Sequence, residues 1–124
     1  MNLWADIRHF HPEEFDSPDA PGSGSLMDIN FLKILDKIRK DCGFPFEINS
    51  GFRTPERNAL VAVVAKSSHL KGLAADIRIF DSNRRKILLK AALDNGIRRI
   101  GLARTFIHLD YSLDLPQDVV WFYP

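Results

Sequence analysis

Two stretches of the chain concentrate side chains able to hold a metal ion. The run Ser67-Ser68-His69-Leu70-Lys71-Gly72-Leu73-Ala74-Ala75-Asp76 has the form SxHxxGxAxD, and Ile107-His108-Leu109-Asp110 carries HxD. His69, Asp76 and His108 together offer two imidazole nitrogens and one carboxylate. A tetrahedral divalent ion held by three such ligands keeps one position for water, the stoichiometry of a catalytic zinc site rather than a closed structural one. If extended, the seven residues from His69 to Asp76 would span about 23 Å, so the chain must fold back to bring both to one ion. Gly72 supplies the backbone freedom for that bend. Ala74 shares the face of Asp76 at period two, and its small side chain leaves room beside the carboxylate.

His108 lies in a β-branched and aromatic stretch, where even offsets share a face, so Phe106 and Asp110 point the same way as His108. Two tasks are then open to Asp110. It can take a proton from metal-bound water, or accept the free ring N–H of a ligating histidine. Each residue alone has a plainer reading, as a satisfied strand histidine or an aspartate that ends a turn, and such short motifs arise by accident. The joint pattern, with Ser67, Gly72 and Ala74 in place, is what singles them out.

Other groups weigh less. His9 and His11 could ligate a metal but precede Pro12 in an N-terminal arm. Trp121-Phe122-Tyr123 could wall a groove, though an edge-strand or core role fits aromatic residues as well. Cys42 at a helix end reads as an inert thiol, with no assured activating base. Glu13 and Glu14 are adjacent and do not converge on one bond, so solvation is expected of them.

These side chains must be positioned by elements that the sequence also announces. Asp28 caps a helix running to about Cys42, with Ile29, Leu32, Ile34, Leu35 and Ile38 as its apolar stripe and Gly43 as its stop. Thr54-Pro55 opens a second helix, with the proline where its missing N–H costs nothing, continuing through Leu60 toward Val64. A third starts near Asp81-Ser82 and runs to Asn95, with Ile87, Leu88, Ala91 and Leu93 as apolar surface and Gly96 ending it. Strands are expected at Phe46 to Asn49, Ala74 to Phe80, Arg99 to Ala103, Phe106 to Tyr111 and Val119 to Tyr123. In the second of these, Asp76, Arg78 and Phe80 fall on one side and Ala75, Ile77 and Ile79 on the other. Ser17 to Ser25, rich in Pro, Gly and Ser, reads as a surface loop, and the arm before it carries Phe10 and Phe15, expected to dock on the body. Long helices come first and most strands late, so strict βαβ alternation fails. The expected class is α+β, a compact single domain over 1–124 with a mainly antiparallel sheet and flanking helices.

Composition narrows the function further. The chain has 124 residues, 45% hydrophobic and 27% charged, which is globular rather than disordered. Seventeen Lys and Arg against sixteen Asp and Glu give a net charge of +1, without the basic excess expected of a nucleic-acid binder. A single cysteine cannot form an internal disulfide or a cysteine-rich zinc site. The longest apolar run, Leu60 to Ala65, is far short of the roughly 20 residues that cross a membrane. No secretory signal is visible at the N-terminus, so synthesis in the cytoplasm as a soluble product is expected, with no membrane insertion and no nucleic acid as partner.

The motifs resemble those of the zinc D-Ala-D-Ala carboxypeptidase-like peptidases that cut bacterial cell-wall peptides, most closely the small single-domain versions of phages and prophages. The resemblance covers nearly the whole chain. His9-Phe10 and Glu14-Phe15 are similar to the family's N-terminal opening, Ser50-Gly51-Phe52-Arg53-Thr54-Pro55-Glu56-Arg57-Asn58 to its SG(F/Y)R(T/S)PxxN segment, and SxHxxGxAxD with HxD to its metal signatures. The resemblance implies a hedgehog/DD-peptidase-like fold and Zn2+ on His69, Asp76 and His108. It implies Arg53 facing the site to hold or polarise substrate oxygens, and Ser67 beside the metal helping to bind substrate. It implies a peptidoglycan stem peptide as substrate, a monomer as the working form, and action at the cell wall after phage-type release or from a virion.

Two departures stand out. Some relatives place a glutamate, as general base, three residues before the last histidine. This chain has Thr105 there, which leaves Asp110 as the best local candidate. Relatives also often carry glycines before the SxH segment, where this chain has Ala62 and Val63, a change expected to affect packing more than chemistry. The missing glutamate is the best support for a second reading, a non-catalytic metal-containing wall-binding module; a third is a structural virion component in which metal only stabilises the fold.

Overall fold

The computed structural model describes residues 3–62 and 66–124. Each helix begins where a short polar side chain satisfies an otherwise unpaired amide. Helix α1 (Ile29–Cys42) is capped by Asp28, whose carboxylate accepts from Phe31 N at 2.9 Å, and Gly43 ends it in the left-handed region at φ +74°. Helix α2 (Pro55–Val61) is capped by the Thr54 hydroxyl on Arg57 N, and α3 (Ser82–Asp94) by Asp81 on Arg84 N. The expected extension of α2 toward Val64, and the Val63 position, lie outside the described residues.

Five strands make one sheet: β1 (Glu47–Ser50), β2 (Ala74–Arg78), β3 (Arg99–Leu102), β4 (Phe106–Asp110) and β5 (Val119–Phe122). Their order is β1-β2-β4-β3-β5. Only the β3–β5 pair is parallel, so the expected α+β class with a mainly antiparallel sheet holds. Helices α1 and α3 pack together and bury Phe31, Leu32, Leu35, Ile38, Leu88, Ala91 and Ala92. These join Ala75, Ile77, Ile100, Ile107 and Leu109 in one apolar cluster, which defines the covered face of the sheet. Burial of this kind stabilises at roughly 25 cal/mol per Å² of apolar surface removed from water. Two stripe assignments change. Phe31 replaces Ile29 and Ile34 at the centre of the α1 contact, and Leu93 is 62% exposed while Ala92 is buried.

The N-terminal arm docks as expected. Phe10 and Phe15 are buried edge to face at 5.3 Å, beside Phe46 and Trp4. The segment Ser17 to Ser25 is more than a surface loop. Asp16 accepts from Gly22 N and Gly24 N, Ser17 and Ser23 are buried, and Asp19 ties to the Thr54 hydroxyl at 2.6 Å, anchoring the start of α2.

On the opposite face of the sheet, one register row crosses all five strands: Ser50, Asp76, His108, Gly101 and Trp121 are successive cross-strand partners. Directly opposed residues share a face and bring their Cβ atoms to within about 5.5 Å. This row is the floor of the site.

The bend foreseen between His69 and Asp76 is a 3-10 turn at Ser68–Lys71, ended by Gly72 at φ +69°. A Cβ on Gly72 would stand 2.7 Å from the Leu26 carbonyl oxygen and 2.8 Å from Met27 Cα, both backbone atoms that cannot move aside cheaply. Gly43, also left-handed, has open space around it. Gly43→Ala is therefore expected to cost about 1–2 kcal/mol, the left-handed penalty alone. Gly72→Ala is expected to cost that and roughly 1–3 kcal/mol more for the overlap. Urea unfolding of the two variants, compared at constant slope, checks the difference.

Candidate metal centre

Three elements deliver the expected ligands. The 3-10 turn carries His69, with the Ser67 hydroxyl accepting from His69 N at 3.2 Å to cap it. The strands β2 and β4 present Asp76 and His108 as direct partners in the register. The donor atoms of His69, Asp76 and His108 lie within 4.8 Å of one another, and all three residues are buried. The sequence spacing of His69 and Asp76 thus closes to 3.3 Å between Nε2 and Oδ1.

The hydrogen bonds around the two rings decide what fits between them. His69 Nδ1 sits 2.7 Å from the Gly51 carbonyl oxygen, which can only accept, so Nδ1 carries the proton and Nε2 presents a lone pair to Asp76 Oδ1. His108 Nε2 lies 2.9 Å from Asp110 Oδ2, and its Nδ1 faces the same Asp76 Oδ1 at 2.7 Å. One carboxylate oxygen is therefore met by two imidazole nitrogens whose opposite edges already donate elsewhere. Left to themselves, both rings would have to be protonated to avoid lone pairs facing an anion. Burial opposes this at His69 and lowers its pKa. Burial also opposes charge at His108, but its hydrogen bonds with Asp110 and Asp76 outweigh it and raise the pKa. A proton thus suits one ring and not the other, whereas a divalent cation satisfies both inner nitrogens and the oxygen at once. Burial works against charge on Asp76, yet its contacts with His108 and His69 hold its carboxyl well below the usual carboxylate range.

Arg53 approaches from the loop after β1. Its backbone N–H donates to the His69 carbonyl at 3.1 Å. Its side chain donates to Ser50 Oγ and Asn58 Oδ1, and one terminal nitrogen stands 3.6 Å from Asp76 Oδ2. The guanidinium is thereby set beside the acid at the edge of the cluster. The Ser67 hydroxyl, expected beside a metal as a substrate contact, accepts from the His69 amide and so shapes the turn.

Asp110 stands behind His108, on the ring edge away from Asp76. Oδ2 accepts from the imidazole, and Oδ1 accepts from Arg99 Nε at 3.1 Å and Ser112 N at 3.0 Å. Burial raises its pKa, but the contacts with His108 and Ser112 prevail and bring it to about 2. Of the two tasks open to it, this position suits holding the ring, not taking a proton on the ligand side. The His108 imidazole lies between Asp110 and Asp76. Thr105 is exposed in the turn between β3 and β4 and brings no carboxylate.

Several participants had no readable signal. The Gly51 carbonyl is backbone, and a Cβ there would meet Phe15 at 2.7 Å, so the close approach needs glycine. Arg99, Ser68 and Ser112 reach the cluster only through cross-strand register and a Ser112–Ser68 hydroxyl contact of 2.6 Å. Period two in β3 was the one available hint for Arg99. Trp121 and Tyr123 do wall the site: their rings lie over Gly101, with Trp121 5.5 Å and Tyr123 6.3 Å from the His108 ring. Phe122, on the other face, is 80% exposed. His9 and His11 are exposed and serve the arm, His9 N donating to Asp36 and His11 N to Glu14. Cys42 is half-buried, and burial, with Asp41 beside it, pushes its thiol up to about 11.

A family model described as Peptidase M15 matches residues 8–110, from the arm to the end of β4. Among solved structures, the fold is similar to that of Serratia marcescens L-Ala D-Glu endopeptidase ChiX, with a TM-score of 0.53 and 14% sequence identity over 88% of this chain and 95% of that one. Among curated proteins, none matches the sequence.

The chain is expected to bind one divalent ion, more weakly as pH falls, because protons compete for the inner nitrogens. His69→Ala, Asp76→Ala and His108→Ala should each abolish stoichiometric binding in a chelator competition. Asp110→Ala should weaken it by about 10–100-fold, the usual effect of removing a ligand's hydrogen-bond partner. Full affinity with lost turnover in Asp110→Ala would restore Asp110 as the base.

Proposed function

Because this chain belongs to the peptidase M15 family, we propose that it is a zinc-dependent peptidase acting on the stem peptides of peptidoglycan, either trimming a terminal D-alanine or cutting within the stem or its crosslink. The observation that carries this reading is Asp76 Oδ1 facing two buried imidazole nitrogens whose outer edges are already bonded. Likeness in fold to an enzyme described as an L-Ala D-Glu endopeptidase supports the substrate class. Stem peptides lie outside the cytoplasmic membrane. We place the protein's action there, reached by phage-type release or carriage in a virion.

In this reading His69, Asp76 and His108 hold the zinc ion. Bound there, zinc would supply a Lewis acid for the scissile carbonyl and a water acidified toward a pKa of about 7. Asp110 fixes the tautomer and angle of His108, and is itself held by Arg99 and Ser112. Arg53, half-buried and anchored by Ser50 and Asn58, presents its planar guanidinium where substrate oxygens approach, so one carbonyl or carboxylate can be held and negative charge stabilised. Trp121 and Tyr123 narrow the site beside His108 and exclude water from that side.

A second reading, a non-catalytic metal-containing wall-binding or structural virion module, is favoured by Thr105 in place of a glutamate and by the engagement of both Asp110 oxygens. Digestion of purified cell wall separates the two. New amino termini, or released D-alanine if a terminal residue is trimmed, should appear with zinc, vanish with chelator and return on adding zinc back. No product at stoichiometric zinc would leave the binding reading. Arg53→Ala is expected to lower kcat on the order of 10²–10³-fold. Arg53→Lys should recover only part of this, since an ammonium lacks the two-pronged geometry.

A further inference from the structure

Away from the metal centre, a groove of about 540 Å³ runs between the end of β2 and the first turn of α3. Phe44, Glu47, Arg78, Phe80, Asp81 and Arg84 border it. Phe80 is 58% exposed, and the Arg78 guanidinium lies over its ring, 4.9 Å from the centroid. Arg84 stands likewise 4.9 Å from the Phe44 ring. Arg78 pairs with Glu47 at 3.3 Å, so two cations and two anions border the groove and leave it neutral overall. Donors and acceptors around a partly exposed aromatic ring suit a neutral ligand with hydroxyl and amide groups and a flat apolar side. A phosphate or a polyanion would find no charge excess here. Pyranose rings bearing N-acetyl groups have the required character.

The groove is also in line with the catalytic floor. Arg78 follows Asp76 on the same face of β2, and Phe80 carries the alternation onward, about 13 Å from Asp76 at the usual rise. The backbone stays extended there, with Ile79 N donating to the Thr105 carbonyl at 3.0 Å. We propose that this groove binds the N-acetylated aminosugar strand of peptidoglycan while the attached stem peptide reaches the metal centre. The inference rests on the peptidoglycan reading and adds a glycan site to it. Such a contact, remote from the cut bond, raises the local concentration of peptide at the centre only when peptide and sugar are joined.

Phe80→Ala tests it, and the ring's exposure makes the variant safe for folding. Against intact wall, kcat/KM should fall by about three- to tenfold, the scale of one aromatic contact, while cleavage of a free, sugar-less stem peptide stays unchanged. Phe80→Trp should restore cleavage of wall. Titration of the isotope-labelled protein with β-1,4-linked N-acetylglucosamine tetramer should shift amide resonances around residues 44–47 and 78–84. Equal activity of Phe80→Ala and wild type on wall, equal loss on both substrates, or shifts absent from these residues would overturn the proposal. Should the wild type cut neither substrate, the peptidase reading fails, and the tetramer titration alone still decides for or against the sugar site.

Discussion

A single carboxylate oxygen, Asp76 Oδ1, shared by two imidazoles, is the constraint around which the rest is arranged. His69 reaches it at 3.3 Å and His108 at 2.7 Å, and both rings are pinned from behind, by the Gly51 carbonyl and by Asp110. Buried lone pairs and a buried anion turned toward one another are unfavourable unless something positive lies between them. The fold holds them together regardless, because each is fixed by independent backbone features: a 3-10 turn, a strand register and a glycine loop. The energy to keep that frustrated triangle comes from the apolar layer on the other face of the sheet, and a bound cation would recover the cost.

The two faces of the sheet divide these duties. Ala75, Ile77, Ile107 and Leu109 alternate with Asp76, His108 and Asp110 along the same two strands, so each strand is at once core and site. That coupling makes the centre rigid, since moving His108 means slipping a strand and turning Ile107 and Leu109 out of the core. The outer supports are polar and equally constrained. Arg99 bridges Asp110 to the Pro116 carbonyl and lies over the Trp121 ring at 5.2 Å, tying the parallel edge strand to the ring behind the ligand. The carboxylate nearest the three clustered side chains, Asp110, thus has both oxygens engaged in holding the His108 ring and the strands beside it.

Local signals in the sequence were strong where a local cause sufficed. All three helices start at the residues whose side chains can cap them, Asp28, Thr54 and Asp81, because an Asp or Thr before an apolar run satisfies free amides wherever it occurs. The strands lie within one residue of their expected bounds, except that β2 ends at Arg78, two residues before Phe80. The order of the segment from Ser17 to Ser25 has no local sign, since it depends on Asp16 and on Thr54, which is far along the chain. Leu93 was placed on the wrong side of α3 because a helix with apolar residues on several faces does not say which one meets its neighbour.

What the sequence determined by itself was the set of candidate ligands and the need for a reversal between two of them: residue chemistry and the spacing from His69 to Asp76 are properties of the chain alone. Only the tertiary structure decided which nitrogen of each ring faces inward, that Asp110 stands behind His108, and that Gly51, Arg99, Ser112, Trp121 and Tyr123 surround the centre. Those relations follow from cross-strand register and from backbone carbonyls. Neither is written in residue type, because both arise when segments distant in the chain are packed against one another.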